Sequence, residues 1–213
     1  GLGDVYKRQI KNCYALADVT AAGYNAGGIA GYYCSNFTIE NCYYSGNVSA
    51  SKCAGGIAGT ALGGTIQNCV SLAESVTGSN ANRIAGYKNG ETLTANYAWR
   101  DTTVSGSATP DGADLTYENG TLSPQFSEIF GNDSAWEFTE DGLPILKDVG
   151  GTQSAYLPPY LTGEGFYGKG TAENPYEIRN VNDLKLLAEK VNGGEAYANT
   201  CLLYTSPSPR DVE

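Results

Sequence analysis

Aliphatic residues recur at a short, even interval along the first half of the chain. Ile10, Val19 and Ile29 are followed by Ile39, Val48 and Ile57, and then by Ile66, Val76 and Ile84, about nine residues apart throughout. Gly, Asn, Ser and Thr fill the gaps. Nine residues hold one short strand and one corner, and three such segments return the chain to its starting point. The pattern therefore predicts an all-β chain wound as a three-sided parallel β-solenoid, each coil covering the edge and inner face of the last. Two longer markers keep the same step. Ala26-Gly27-Gly28-Ile29-Ala30-Gly31 returns as Ala54-Gly55-Gly56-Ile57-Ala58-Gly59 and, altered, as Asn82-Arg83-Ile84-Ala85-Gly86. Ile10-Lys11-Asn12-Cys13-Tyr14 returns as Ile39-Glu40-Asn41-Cys42-Tyr43 and Ile66-Gln67-Asn68-Cys69-Val70. A shared period of 27 to 29 residues in two separate markers defines a repeat protein. Thr94-Ala95-Asn96-Tyr97 continues the second marker, with Asn96 placed as the fourth recurring asparagine.

The glycines at 27, 28, 31, 55, 56, 59 and 86 are expected at corners that need positive φ or close backbone approach. Asn12, Asn41 and Asn68 suit a left-handed corner, which would let the Ile before and the Cys after face inward. Cys13, Cys42 and Cys69 should then stack as buried thiols, about 4.8 Å apart and too far for comfortable disulfides. Whether Cys34 and Cys53 pair is left open.

The repeat fades after Gly90. Residues 99–104 read as one more strand, and 106–120 as a polar loop. Ser123-Pro124 resembles a helix opening, Phe126, Ile129 and Phe130 form one apolar face, and Gly131 ends the helix. Trp136-Glu137-Phe138 and Leu143–Leu146 flank Asp141-Gly142 as a hairpin. This helix and hairpin are expected to cap the last coil, with Trp136 as the plug. Residues 150–168, rich in Gly and Pro, read as a linker. After it come a strand at Tyr176–Ile178 and a helix capped by Asn180 and Asp183, with Leu184, Leu187, Ala188 and Val191 as its stripe. That stripe is expected to face a partner that lies outside the sequence.

The flanks change the domain map. With one choice of codons Asp4–Gln9 back-translates as GAT GTG TAT AAG AGA CAG and Cys201–Ser206 as TGT CTC TTA TAC ACA TCT, nearly reverse complements. They resemble translated sequencing adapters and are set aside from fold reasoning. The expected organisation is adapter sequence over 1–9, solenoid over 10–109, cap over 110–149, linker over 150–168, the truncated α/β start of a second module over 169–200, and adapter sequence over 201–213. The lack of Met fits a fragment.

A formal net charge of -10 argues against nucleic-acid binding. No apolar run approaches the roughly 20 residues of a membrane span. The chain has no His and no C-x-x-C, which argues against Cys/His zinc sites and His-dependent nucleophilic catalysis. No cofactor, metal ligand or catalytic residue is assigned. Glu137, Glu140 and Asp141 form the best carboxylate cluster for a glycosidase, but acidic residues are ordinary at a hairpin turn.

Together, the Gly-Gly-Ile-Ala-Gly cores and the Ile-x-Asn-Cys-Tyr markers over residues 10–97 resemble the GLUG-repeat family of bacterial surface proteins. Trp136, Gly142, Pro144 and Leu146 match the family's ending, and Gly170–Tyr176 with Asp183-Leu184 resembles the segment that precedes such repeats. The third core departs from the family, with Asn82-Arg83 where Gly-Gly stands elsewhere. The resemblance implies a secreted or cell-surface protein, often large, in which the repeats serve as stalk or adhesive module. Related repeats occur in some bacterial immunoglobulin A metalloproteases, whose His-x-x-x-His site this His-free chain lacks.

The function expected is a non-catalytic structural or adhesive segment. The alternatives are a glycan-binding module and an accessory part of a secreted hydrolase or protease. The candidate partner is a host or microbial surface glycan or protein. Tyr32, Tyr33 and Tyr87 follow the Ile-Ala-Gly cores and are the candidate glycan-stacking residues. Tyr14, Tyr43 and Tyr97 share a second repeat position. For all of them packing along the sheet is the simpler expectation.

Overall fold

A computed structural model of the chain describes residues 8–33, 37–106, 109–139, 142–162, 166, 175–178, 181–193 and 202–204. The expected solenoid is present. Each of the first three coils divides more finely than three nine-residue strands, into five short strands that stack in five parallel ladders, and a fourth coil adds three strands. The first ladder holds Arg8–Lys11, Phe37–Glu40, Thr65–Gln67 and Thr92–Thr94. The second holds Tyr14–Ala15, Tyr43–Tyr44, Val70–Ser71 and Tyr97–Trp99. The third runs through Val19–Ala21, Val48–Ala50, Ser75–Thr77 and Thr103–Val104. The fourth joins Asn25–Gly27, Cys53–Gly55 and Asn80–Asn82, and the fifth Ala30–Tyr33, Ala58–Leu62 and Ala85–Asn89.

The aliphatic anchors pair in register. Ile10, Ile39, Ile66 and Leu93 face one another, as do Val19, Val48, Val76 and Val104. Ile39, Val48, Ile57, Ile66, Val76 and Ile84 form one core with the ladder alanines and the central cysteines. Between the first two ladders Asn12, Asn41 and Asn68 all adopt left-handed φ of 50 to 53°. That corner turns Ile39 and Cys42, and Ile66 and Cys69, into the core. Burial pushes the Cys69 thiol pKa up, and its sulfur donates to the Gln67 carbonyl at 3.2 Å. Cys13, at the first described coil, is exposed rather than buried, and Cys53 is a buried free thiol.

The fourth copy of the corner is shifted by one residue. Thr94 pairs with Gln67 and Tyr97 with Val70, so Ala95 takes the left-handed position at φ 51° and Asn96 stands in the cysteine column. Buried there, Asn96 accepts from the Cys69 amide at 3.0 Å and donates to the Ile66 carbonyl at 2.8 Å. An amide replaces a thiol where it can satisfy backbone groups of the coil beneath it.

The core glycines other than Gly31 are needed for close approach and not for positive φ. None of those expected at corners is left-handed among the residues with φ above zero. A Cβ on Gly55 would meet the Gly86 amide nitrogen at 2.7 Å and the Ile84 carbonyl at 2.8 Å. A Cβ on Gly56 would meet Ser71 and the Arg83 carbonyl. In the last core Asn82 pairs with Gly55, and these constraints are lifted. Arg83 donates to the carbonyls of Asp111 and Gly112 and to Asp114 at 3.1, 2.6 and 2.6 Å. The Asp111 carboxylate accepts from the amides of Ile84 and Ala85 at 2.7 and 3.0 Å and from Lys88 at 2.9 Å. The altered motif is thus the clamp that closes the end of the fourth and fifth ladders.

Residues 106–120 are not simply a loop. Ala113–Glu118 extends the second ladder, pairing parallel to Tyr97–Trp99, and turns back antiparallel through Thr121–Ser123. Helix α1, Phe126–Ile129, starts after Gln125, which makes no side-chain cap bond, so Ser123 is not its cap; Gly131 ends it at φ 61°. Trp136–Glu137 and Ile145–Leu146 form the hairpin; Glu140 and Asp141 lie outside the described residues. This piece does not cover the last coil. It lies along the outside of the second ladder, beside the first two coils. Trp136 contacts the rings of Tyr14, Tyr43 and Phe130, and its indole N–H donates to Asn12 at 3.3 Å. Tyr43 donates to the Pro144 carbonyl at 2.9 Å. The outward aromatic row gives Trp136 and Phe126 rings to pack against there.

The chain divides into two compact units, Gly1–Phe138 with Pro144–Gly150, and Thr139–Leu143 with Gly151–Glu213. In the second, part of the expected linker forms α2, Pro159–Thr162, and buries Leu157, Leu161 and Phe166. Pro159 opens this helix, the position proline tolerates best. Tyr176–Ile178 pairs parallel with Leu202–Tyr204. The intervening α3, Val181–Asn192, has Leu184, Ala188 and Val191 exposed and Leu187 half-buried. Asn180 and the side chain of Asp183 lie outside the described residues. Arg8, Gln9 and Leu202–Tyr204 fall in the segments that resemble adapter sequence, and they pair through backbone groups that every sequence carries.

Candidate functional site

The solenoid carries two outward aromatic rows. On the second ladder Tyr14, Tyr43, Val70 and Tyr97 stand in register. Tyr14 and Tyr43 stack with ring centroids 5.0 Å apart and planes 3° apart. Phe126 meets Tyr43 edge-on at 5.2 Å, and Tyr43 has no exposed surface. Burial raises its hydroxyl pKa well above the ordinary value, so it remains a neutral donor to Pro144. This row serves packing.

The other row is open. On the fifth ladder Thr60 pairs with Tyr32 on one side and Tyr87 on the other. On the neighbouring fourth ladder Cys53 pairs with Asn25 and with Asn80. Both rows line a groove of about 410 Å³, together with Tyr24, Lys52 and Leu62. Tyr24, Tyr32 and Tyr87 are 69%, 56% and 44% exposed, while Thr60 forms the floor. The Thr60 hydroxyl donates to Asn25 Oδ1 at 2.8 Å, which leaves the Asn25 amide N–H groups to point elsewhere. Lys52 Nζ sits 5.5 Å from the Tyr24 ring centroid at the rim.

Of the three candidate tyrosines, the structure brings Tyr32 and Tyr87 into this groove. Tyr33 occupies the next register row, opposite Ala61, and its side chain lies outside the described residues. Tyr24, Asn25, Asn80, Lys52 and Thr60 were missed by sequence reasoning. A signal existed: the interval from Asn25 to Tyr32 recurs from Asn80 to Tyr87, at the same phase of the repeat.

Of the carboxylates considered for catalysis, Glu137 is exposed on its short hairpin strand. Among the described residues no three His, Cys, Asp or Glu side chains cluster to hold a metal ion, and no helix is long and apolar enough to cross a membrane. Fold and site together define a parallel β-solenoid with one covered and one open aromatic row. Compared with protein-family models, curated proteins and solved structures, the chain matches none.

Proposed function

We propose that the chain is a non-catalytic adhesive segment of a secreted or cell-surface bacterial protein, of the GLUG-repeat kind its markers resemble, and that its open groove takes carbohydrate. The observation that carries this reading is the exposure of Tyr24, Tyr32 and Tyr87 beside Asn25, Asn80 and Thr60 on a rigid ladder. Aromatic faces take the apolar C–H face of a pyranose ring, and amides and hydroxyls satisfy its rim of hydroxyls. The solenoid supplies length and a fixed spacing between coils. The test is a glycan array probed with the full chain and with a Tyr32→Ala, Tyr87→Ala double variant. Retention by the parent chain and loss in the double variant are expected. Equal signals from both, or no retention of any glycan, would overturn the reading.

A further inference from the structure

We infer that the groove holds an unbranched glycan lying along the solenoid axis, one sugar residue per coil, with Tyr32 and Tyr87 stacking on alternate residues. This inference rests on the carbohydrate reading of the groove. Its basis is the direction in which like side chains repeat. Tyr32, Thr60 and Tyr87 form one row and Asn25, Cys53 and Asn80 a second, and both cross from coil to coil. Along the strand the neighbours change character at once, to Leu62 and Asn89. A ligand that uses both tyrosines must therefore run across the strands.

The spacing fits such a chain. Strands in a ladder lie about 4.8 Å apart, close to the length of one pyranose residue in an extended chain, so Tyr32 and Tyr87 stand about 9.6 Å apart. In an extended β-linked chain successive rings turn opposite edges and faces to a surface. Alternate residues then present the same face, and the residue between them presents a different one. The groove has the matching alternation. The outer coils each pair an asparagine with an exposed tyrosine, and the middle coil pairs Cys53 with Thr60, both buried. The middle residue is thus given room rather than a stacking surface. Asn25 and Asn80 both line the groove, and each amide leans on the middle coil, Asn25 accepting from Thr60 at 2.8 Å and Asn80 donating to Cys53 Sγ at 4.0 Å, which leaves the Asn25 N–H groups and the Asn80 carbonyl for sugar hydroxyls.

The test is calorimetric titration of the full chain with unbranched xylan-, cellulose- and chitin-derived oligosaccharides of two to six residues. Affinity for the preferred series should rise about tenfold between the disaccharide and the trisaccharide, where the second tyrosine is reached, and level off by the tetrasaccharide. Tyr87→Ala should abolish that step, keep disaccharide binding within about twofold of the parent and leave the melting temperature unchanged. Binding that ignores chain length, or a step that survives Tyr87→Ala, would overturn the axial placement while leaving the carbohydrate reading intact. Failure of every oligosaccharide and of the glycan array would overturn the carbohydrate reading itself.

Discussion

The same rails carry the two aromatic rows to opposite fates. Tyr14 and Tyr43 are stacked against Trp136, and Tyr43, which Phe126 also meets, is shut off from solvent while Tyr14 is half-buried. Tyr32 and Tyr87 have the same chemistry, sit on an equally regular ladder and remain open. The stacked pair is directly adjacent, one coil to the next. The open pair is interrupted by Thr60, so the two rings cannot stack on each other. Two adjacent rings followed by Val70 offer an unbroken apolar face that the chain's own helix and hairpin can cover. An interrupted row interleaved with amides and a hydroxyl offers separate stacking places and polar partners, which suit a ligand better than an apolar roof.

The most severe way to break the comparison is to remove the frame both rows share. Ile57 is fully buried between Ile29 and Ile84 in the core. Ile57→Asp would bury a charge with no partner, a change above the roughly 4 to 5 kcal/mol that marks exceptional mutations. The β signal in circular dichroism should collapse, and a cooperative melt near the parent's would sink the core assignment. Next in size is Tyr43→Ala, which deletes a ring held by Tyr14, Phe126 and Trp136 together with the bond to Pro144. The expected cost is about 3 to 5 kcal/mol, measured by denaturant unfolding, with Trp136 fluorescence moving toward that of exposed indole.

A smaller effect is expected at the end of the open row's ladder. Asp111→Ala removes the acceptor for the Ile84 and Ala85 amides. The loss should be about 1 to 3 kcal/mol. Hydrogen exchange should quicken at Ile84 and Ala85 and stay unchanged at Tyr43. Uniform quickening would show that the clamp serves the whole solenoid rather than this end. Smaller still is a pH effect on the covered row. Asp133 is held below the ordinary carboxylate pKa first by the Ala135 amide, with Asn41, Lys11 and Asn12 adding to it. A depressed folded pKa gives stability that is present above the unfolded value and is lost as pH falls through the folded one. The Trp136 signal should therefore begin to change below about pH 4 in the parent and lose that component in Asp133→Asn.

Much of this was legible in the residues, for a physical reason. The anchors report a period, and a period in a stacked fold is also a contact map, so Ile39 opposite Ile66 follows from spacing alone. The left-handed asparagines were legible because few residues tolerate that φ. The altered third core, Asn82-Arg83, could be seen as a departure but not understood as a clamp. Its partner Asp111 lies beyond the repeat, and no periodicity points to it. The placement of Trp136 was misread for a related reason. Terminal coils usually need a cover, yet whether a cap lies over the end or along the side depends on competing apolar areas that spacing does not report. The groove was half visible: tyrosines could be named, but Asn25, Asn80 and Thr60 acquire meaning only when two ladders are seen side by side.

The least disruptive test is also the one that separates the rows most cleanly. Tyr32→Ala and Tyr87→Ala remove rings that are about half exposed. Neither ring receives the roof that covers Tyr43. Each substitution leaves the ladder's backbone bonds in place, and the Thr60 bond to Asn25 involves neither ring. Stability should therefore change by no more than about 0.5 kcal/mol, the range of surface positions without special partners. Set against Tyr43→Ala, the same chemical change on the same kind of ladder should differ several-fold in cost. If Tyr32→Ala instead destabilised the chain as strongly as Tyr43→Ala, both rows would be structural, and the open tyrosines would lose their claim to be a binding surface.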